Sequence, residues 1–354
     1  EEREEKEGRE RKQEKREKKK GQREKVYADM RYSDRAFLGS ITAAERAADS
    51  VEMCRILFGG DFVDRNCVIM GNFNTTSPLV LDGVTTAGIR TYAAAGQGSI
   101  HLPFLLGGAV SPLTMAGSVA QCLAESMASA ALTQLVRPGA PAILAGFLSS
   151  MSLRSGSPTF GTPEPALGSL VMGQLARRLK LPLRCAGNFS TSKRPDGQAM
   201  QQAMMSMMSA IQGGANYILH TAGFLDGLLS MSYEKFVMDC DMAGALHAYL
   251  AGIEVNDDTL GIEALAQNGP GEHLFGTDHT LRHYQTAYWD SALNDDQPYE
   301  TWEEQGSIDY AKRANARWKQ ILSAYEAPPM NEATDEALKD FIARKKAGMP
   351  DAWY

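Results

Sequence analysis

The stretch Ala142-Ile143-Leu144-Ala145-Gly146-Phe147 is a short apolar run that ends in a phenylalanine and then breaks into small and polar residues. Four other stretches have the same form, namely 68–73, 100–104, 183–189 and 217–224. Their terminal phenylalanines follow one another at spacings of 31, 43, 42 and 35 residues, and the residues between them are helical in character. Alternation of buried strands and helices at this spacing predicts βα units that feed a parallel sheet.

The ends of these strands are the first place to look for a site, because parallel sheets bind ligands at the carboxyl ends of their strands. The five rings expected there are Phe73, Phe104, Phe147, Phe189 and Phe224. Aromatic faces suit a flat apolar cofactor or a quaternary ammonium cation. The alternative is that the rings only fill the end of the sheet with apolar bulk.

Five βα units are too few for a closed eight-stranded barrel. Two arrangements therefore stay open: a doubly wound open sheet, or a barrel whose early strands would precede residue 26. Helices rich in Ala, Lys and Arg are predicted near Tyr310–Tyr325 and Asp335–Ala347, on the outside of the domain.

Charge divides the 354 residues into two parts. Residues 1–25 hold 12 Lys or Arg and 9 Glu without any apolar residue, which predicts a disordered tail or an exposed charged helix. The net charge of −7 then leaves −10 for the predicted folded domain, residues 26–354. An acidic domain disfavours sequence-independent binding of nucleic acid.

Composition narrows the protein class further. The five cysteines are dispersed without C-x-x-C spacing, which favours a reducing cytoplasm over a disulfide framework or a zinc site. The chain contains no run of 18 apolar residues, so no membrane-spanning helix is predicted. The chain also lacks a G-x-G-x-x-G fingerprint, a phosphate-binding G-x-x-x-x-G-K-[ST] loop and a G-x-S-x-G elbow, so use of nicotinamide or nucleoside triphosphates and serine hydrolysis are disfavoured.

Polar residues near the predicted strand ends are the other candidates. Asn188 and Asp226 could orient a ligand or merely satisfy loop backbone, and His220 could equally be a core histidine. Glu164, in the Pro- and Ser-rich loop before a helix, is either a helix-terminal residue or the counter-charge to a bound cation. His279, with its neighbours His273 and His283, raises a metal site as one alternative and a substrate-contacting loop as the other.

Several separate stretches, in the same order along the chain, resemble the trimethylamine methyltransferase family. They are Arg31–Thr42, Glu45–Ser50, Asn74–Leu79, Gln134–Pro141, Ser155–Pro165, Tyr233–Phe236 and Gly269–Thr280. The resemblance covers nearly the whole chain from about Tyr27. It implies a (β/α)8 TIM barrel, and it implies methyl transfer from a methylated amine to the cobalt of a separate corrinoid protein that docks over the barrel mouth.

The resemblance also bears on substrate. The archaeal trimethylamine enzymes of the family carry pyrrolysine, whereas this chain contains only the twenty standard residues. It is therefore most similar to the pyrrolysine-free members, which include demethylases of quaternary amines such as glycine betaine. We expect a cytoplasmic, homo-oligomeric methyltransferase of methylamine metabolism, related to methanogenesis, with no cofactor or metal of its own and a corrinoid carried by its partner protein.

On this interpretation the candidate residues take roles. Phe104, Phe147, Phe189, Phe224 and Asn188 are predicted to contact the cation or the corrinoid. Glu164 and Asp226 are predicted charge partners, and His220 and His279 are predicted polar orienters.

A second hypothesis comes from a different class of protein. Family chains are longer at the N-terminus, and this chain has a charged run where they have early barrel strands. An inactive barrel remnant that binds a corrinoid protein or a sister subunit is therefore the alternative.

Overall fold

The computed structural model describes residues 21–348, which form two compact units. We call the first the sheet unit; it contains residues 21–187, 205–219 and 324–348. The second unit contains residues 188–204 and 220–323. Each unit is described by itself.

Ten strands occur in the described residues. They are β1 (Met70–Asn74), β2 (Gly98–Leu102), β3 (Phe104–Leu106), β4 (Ala142–Ala145), β5 (Phe147–Met151), β6 (Pro158–Thr159), β7 (Leu183–Ala186), β8 (Tyr217–Leu219), β9 (Phe224–Leu225) and β10 (Ser230–Met231).

The sheet unit is built on a five-stranded sheet in the order β1-β2-β4-β7-β8, and every neighbouring pair is parallel. Neighbours in the sheet are therefore successive βα units in the chain. A doubly wound sheet reverses its strand order near the middle, whereas a barrel does not. The prediction of an α/β fold with a parallel sheet is confirmed, and the strand order is that of a half-barrel. Closure into eight strands stays a prediction.

Thirteen helices of four or more residues accompany the strands in the described part of the chain, and none of them is both long and apolar enough to cross a membrane. They are α1 (Gln22–Tyr32), α2 (Ala44–Phe58), α3 (Gly60–Arg65), α4 (Gly83–Ala94), α5 (Met115–Val136), α6 (Pro163–Leu179), α7 (Gly197–Gln212), α8 (Tyr233–Ala251), α9 (Ile262–Gln267), α10 (Asp278–His283), α11 (Tyr299–Glu304), α12 (Tyr310–Ser323) and α13 (Glu332–Ala347).

The predicted charged tail falls mostly on residues 1–20, which lie outside the described residues. Its last residues belong to α1, which begins at Gln22. Arg23 is buried there, because its Nε donates to the equally buried Asp49 carboxylate at 2.6 Å. The other end of the described chain packs nearby, since the Tyr27 hydroxyl donates to Asp335 at 2.6 Å. Ion pairing thus allows a charged segment to dock on the sheet unit.

Phe73 corrects one expectation about the strand-end rings. Its side chain is buried in the apolar core and packs edge-on against Tyr92, with ring centroids 5.5 Å apart. A Cβ at Gly88 of α4 would lie 2.6 Å from the Phe73 ring, so this ring faces the helix layer. Side chains alternate along a strand, and Phe73 stands at a position of β1 that points toward α4. It therefore does not line the strand ends.

Two glycines let α6 approach the turn after α7 closely. A Cβ at Gly173 would lie 1.9 Å from the carbonyl oxygen of Gly213, a distance that no side chain can occupy. The same carbonyl accepts a hydrogen bond from the Arg177 guanidinium at 2.5 Å. Glycine at position 173 is therefore required by backbone-to-backbone contact.

A buried carboxylate holds the loop that follows β1. Glu125 of α5 accepts hydrogen bonds from the hydroxyls of Thr75 and Ser77 at 2.5 and 2.6 Å, and from the backbone N–H of Leu79 at 2.8 Å. The side chain of Gln121 donates to it as well, at 2.8 Å. These donors outweigh the effect of burial and lower the pKa of Glu125. A single anion thus fixes three residues of one strand-end loop.

In the second unit, Glu234 ties α8 to α12. Its carboxylate accepts hydrogen bonds from Ser232, Asn315 and Trp318 at 2.7, 2.6 and 3.0 Å. The bond from Ser232 is the largest of the causes that lower the Glu234 pKa to about 2. Because the folded pKa is depressed, this group stabilises the fold fully above its usual pKa of 4.5, and the contribution is lost as pH falls toward 2.

We therefore expect Glu234→Gln to flatten the acid side of the stability profile. The wild type should lose about 1–2 kcal/mol more than the variant between pH 5 and pH 3, after allowance for solvent screening. Urea unfolding followed by tryptophan fluorescence at both pH values measures this. Equal losses in the two proteins would show that Glu234 carries no pH-linked stability.

Candidate functional site

Three rings meet in the second unit, in the segments that follow β7 and β8 in the chain. The centroids of Phe189 and His220 are 5.4 Å apart, those of His220 and Phe224 are 5.2 Å apart, and those of Phe189 and Phe224 are 6.3 Å apart. Phe224 stands edge-on to both other rings. We call Phe189, His220 and Phe224 the second-unit ring trio. The structure thus brings together three of the predicted site residues.

Backbone hydrogen bonds connect the two segments that carry the trio, the one after β7 and the one after β8. The Asn188 N–H donates to the His220 carbonyl at 3.0 Å, and the Asp226 N–H donates to the Ser192 carbonyl at 2.8 Å. His220 has φ +62° and Asp226 has φ +50°, which is the left-handed region that side chains seldom adopt. Such strain persists only where the surroundings enforce it, and it concentrates at functional sites.

Asn188 is buried beside the trio and only half satisfied. Its side-chain N–H donates to the Thr221 carbonyl at 2.5 Å, while its Oδ1 is buried without a hydrogen-bond partner among the described residues. An orphaned buried acceptor costs about 1–3 kcal/mol. A buried amide oxygen of this kind can accept a donor, or face positive charge, on a bound molecule.

Asp226 supplies negative charge next to the trio. Its carboxylate lies 3.4 Å from the Lys193 ammonium, and both side chains are open to solvent, at 37% and 72% exposure. An exposed pair of this kind is weak. The carboxylate is therefore available to a cation, which suits the predicted role of Asp226 as a charge partner.

A buried ion pair in α8 is hydrogen-bonded to the backbone next to Phe224 of the trio. Lys235 and Asp239 are both fully buried, and the ammonium pairs with Asp239 Oδ1. The other carboxylate oxygen accepts the Gly223 N–H at 2.9 Å. Burial raises the pKa of Asp239 to about 6 and lowers the pKa of Lys235, and the pair's mutual attraction opposes both shifts.

The sheet unit contains an aromatic cluster of its own. The ring centroids of Phe104 and Phe147 are 4.8 Å apart, and those of Phe147 and Phe160 are 5.8 Å apart. These residues open β3 and β5 or follow β6, and the paired register places Phe104 beside Phe147. We call Phe104, Phe147 and Phe160 the sheet-unit ring trio.

Three hydroxyl groups and Glu164 follow Phe147 in the chain, up to the first turn of α6, close in sequence to the sheet-unit ring trio. The Ser150 hydroxyl is within hydrogen-bond distance of the Thr159 and Thr162 hydroxyls, at 2.7 and 2.8 Å. Thr162 occupies the N-cap position of α6 without a side-chain capping bond, because its hydroxyl is used here. Glu164 lies in the first turn of α6, exposed and without a hydrogen bond or ion pair to any described residue. Both interpretations of Glu164 therefore remain compatible with the structure.

His279 belongs to a polar cluster around Asp258. The ring nitrogen Nε2 of His279 lies 2.9 Å from the Asp258 carbonyl oxygen, and that of His283 lies 2.8 Å from the Asp258 carboxylate. Arg282 adds an ion pair to the same carboxylate. None of the hydrogen bonds or ring contacts of His279 reaches the second-unit ring trio. Within residues 21–348, no three His, Cys, Asp or Glu side chains converge as metal ligands.

The sequence analysis did not single out four residues with a structural role here: Phe160 of the sheet-unit ring trio, Glu125 at the loop after β1, and the buried pair Lys235 and Asp239. A signal existed for three of them. Glu125 is the only charged residue within the Ala- and Ser-rich helix α5. Lys235 and Asp239 stand four residues apart on an otherwise largely apolar helix, which is the spacing of a pair on one helix face.

Comparison with known proteins places this sequence in a family. The sequence model of trimethylamine methyltransferase (MTTB) matches residues 15–350. The chain belongs to the trimethylamine methyltransferase family. This confirms the family predicted from the sequence, and it is a family of methyltransferases.

Several relatives in this family carry substrate names. A glycine betaine methyltransferase from Desulfitobacterium hafniense (strain Y51) is 36% identical over 321 residues, which cover 90% of this chain and 67% of the relative. A trimethylamine methyltransferase MttB from D. hafniense (strain DSM 10664 / DCB-2) is 27% identical over 88% of the chain and 62% of the relative. Trimethylamine methyltransferase MttB2 of Methanosarcina mazei is 30% identical over 76% of the chain and 53% of the relative. The chain thus spans about half to two thirds of these relatives' length.

Proposed function

We propose that this chain transfers a methyl group from a quaternary amine, such as glycine betaine, to the Co(I) of a corrinoid carried by a partner protein. The observation that carries the proposal is the higher identity to a glycine betaine methyltransferase than to the trimethylamine methyltransferases. The second-unit ring trio supports it independently, because its aromatic faces and adjacent carboxylate suit a methylated cation.

Demethylation of a quaternary ammonium does not require the protein to transfer a proton. When a nucleophile takes the methyl group, the electron pair of the C–N bond stays on nitrogen and a neutral tertiary amine leaves. No general acid is required. The corrinoid supplies the nucleophile. The protein has to bind the cation, exclude water and aim the methyl group.

The second-unit residues divide these tasks among themselves. Phe189 and Phe224 present ring faces to the cation, each contributing about 0.5–2 kcal/mol to binding. Asp226 supplies the counter-charge and His220 orients the methylated nitrogen between the rings. The Oδ1 of Asn188, which is buried without a hydrogen-bond partner among the described residues, is assigned to face the positively charged ammonium group of the substrate.

The sheet unit has an aromatic surface of its own, the sheet-unit ring trio. Phe104 and Phe147 contact the substrate or the corrinoid face, and Glu164 provides a further negative charge. His279 orients the surrounding loop through its bond to Asp258.

Methyl transfer tests the proposal directly. The chain is mixed with a Co(I) corrinoid protein and either glycine betaine or trimethylamine, and the cobalt absorbance is followed while mass spectrometry detects dimethylglycine or dimethylamine. Methylation of the corrinoid with glycine betaine alone is the expected result. Methylation of the corrinoid with trimethylamine alone would mean that the substrate is a tertiary amine and not a quaternary one. No transfer from either amine to the corrinoid, by a chain that circular dichroism shows to be folded, would overturn the proposal and favour the inactive binding role.

Phe224→Ala should weaken the substrate site and leave folding largely intact, because Phe224 is only partly buried. We expect the KM for glycine betaine to rise about 3- to 30-fold, which corresponds to the loss of one cation–π contact. Phe275→Ala is the matched control, since this ring is 79% exposed in the same unit. An unchanged KM in Phe224→Ala would remove Phe224 from the site.

A further inference from the structure

Lys235 and Asp239 form a charged pair that the proposed chemistry does not use. They stand one turn apart on α8 and are both fully buried. Burying two charges costs several kcal/mol per ion before their attraction is counted, and apolar replacements of such pairs are often neutral in stability. Stability alone is therefore a poor explanation for this pair.

The pair is joined to the backbone of the second-unit ring trio through Gly223. The Gly223 N–H donates to Asp239 Oδ2 at 2.9 Å, and the Gly223 carbonyl accepts the Ser232 N–H at 3.0 Å. Gly223 has φ +88°, and a Cβ there would lie 3.1 Å from the Met231 methyl group. The N–H and the carbonyl of Gly223 are thus both held by α8 and the residue before it, which fixes the conformation of Gly223.

Gly223 directly precedes Phe224 and lies three residues after His220. A shift of the Gly223 N–H therefore moves two of the three rings of the trio. The Lys235 ammonium, in turn, neutralises Asp239 and holds its carboxylate in the orientation that receives the Gly223 N–H. Neither Lys235 nor Asp239 has any ring contact with the trio.

We propose that the Lys235–Asp239 pair is a positioning element that sets the geometry of the second-unit ring trio through the Gly223 N–H, and thereby the aim of the methylated cation. This inference rests on the proposed function. Asp239 provides the acceptor and Lys235 is the counter-ion that allows that acceptor to be buried. Neither residue touches the substrate.

Two double variants separate positioning from stability. Lys235→Met with Asp239→Asn removes both charges and keeps a carbonyl acceptor for Gly223. Lys235→Met with Asp239→Leu removes both charges and the acceptor. Both pairs should fold, because no unpaired buried charge is left behind.

The acceptor-keeping variant is expected to retain kcat/KM within about threefold of wild type. The acceptor-free variant should lose about 10- to 100-fold in kcat/KM, with a change in both kcat and KM, because misplacement by about 1 Å costs this much. Equal kinetics in the two folded double variants would overturn the proposal. If the acceptor-free variant does not fold, Lys235→Met with Asp239→Ala replaces it as a smaller acceptor-free pair without an unpaired buried charge, and the proposal then fails if its kcat/KM equals that of the acceptor-keeping variant.

A measurement that does not depend on enzyme activity tests this inference separately from the proposed function. The His220 ring resonances and the hydrogen-exchange protection of the Gly223 amide should match wild type in the acceptor-keeping variant and change in the acceptor-free one. Unchanged ring signals and protection in both would reject the positioning role even in an active enzyme. A wild type without methyl transfer would reject the proposed function, whereas the His220 and Gly223 signals would still decide the positioning role.

Discussion

Gly173→Ala is expected to lower the free energy of unfolding by more than about 3 kcal/mol. The new methyl group would lie 1.9 Å from the Gly213 carbonyl oxygen, and the atom it meets is backbone. Backbone cannot change rotamer, so α6 and the turn after α7 would have to move apart. That movement would also break the hydrogen bond from Arg177 to the same carbonyl.

Urea unfolding followed by circular dichroism measures this loss. Gly83→Ala is the matched control, because Gly83 begins α4 without a positive φ and a Cβ there meets nothing within 4 Å. The control should be neutral or gain up to about 1 kcal/mol, since alanine is the better helix former. A Gly173→Ala variant as stable as Gly83→Ala would show that the two backbones are not in contact in solution.

Glu125→Ala is expected to cost about 3 kcal/mol and to release the loop after β1. The substitution leaves two hydroxyls and the Leu79 N–H without their charged acceptor, and bonds to charged groups are worth about 1.5–3 kcal/mol each. Leu79 has φ +60°, so the loop stores strain that the carboxylate counteracts.

Hydrogen exchange at the Leu79 amide gives the local measure, and thermal unfolding gives the global one. Protection of this amide should fall at least tenfold in Glu125→Ala, in keeping with the loss of a bond of more than about 1.4 kcal/mol. Gln121→Ala, which removes only one of the four donors, should leave the Leu79 amide protected. Retained protection in Glu125→Ala would mean that the loop holds its own conformation.

Much of the fold could be predicted because its signals are local. Each strand of the parallel sheet is an apolar run, and each is followed by a stretch of helix-forming residues, so strand type and spacing follow from the sequence alone. The choice between a doubly wound sheet and a barrel winding could not be made in this way. Strand order depends on which face of the sheet each helix covers. The sequence shows that a helix has an apolar face, but it does not show on which face of the sheet that helix packs.

For the candidate site, the sequence predicts that some of the chosen residues lie together, and it predicts less of their geometry. Phe189, His220 and Phe224 meet as expected because they follow neighbouring strands. Phe73 has the same sequence pattern yet lies in the core, because one step along a strand reverses the direction of the side chain. The backbone partners of Glu125 and Asp239 are the N–H groups of Leu79 and Gly223, which lie in loops 46 and 16 residues away, so only the folded backbone brings each N–H to its carboxylate.

The consecutive strand order has a consequence for how the chain reaches its native state. Register partners such as Met70 and Gly98, or Arg184 and Tyr217, are separated by 28 to 43 residues throughout the sheet. The entropy of closing a loop grows only with the logarithm of its length, so these pairings differ by about 0.4 kcal/mol in closure cost. No strand pair has a markedly higher loop-closure cost than the others, so the sheet can assemble by stepwise addition of one βα unit to the next.

The contact between α1 and α13 is the exception. Tyr27 and Asp335 are 308 positions apart, so their meeting costs about 2 kcal/mol more in closure entropy than any strand pair when it forms first. It becomes inexpensive only after the sheet has drawn the intervening chain together. We therefore expect the contact between α1 and α13 to form late in folding. For the same reason, α1 and α13 can separate first in unfolding while the strands stay paired.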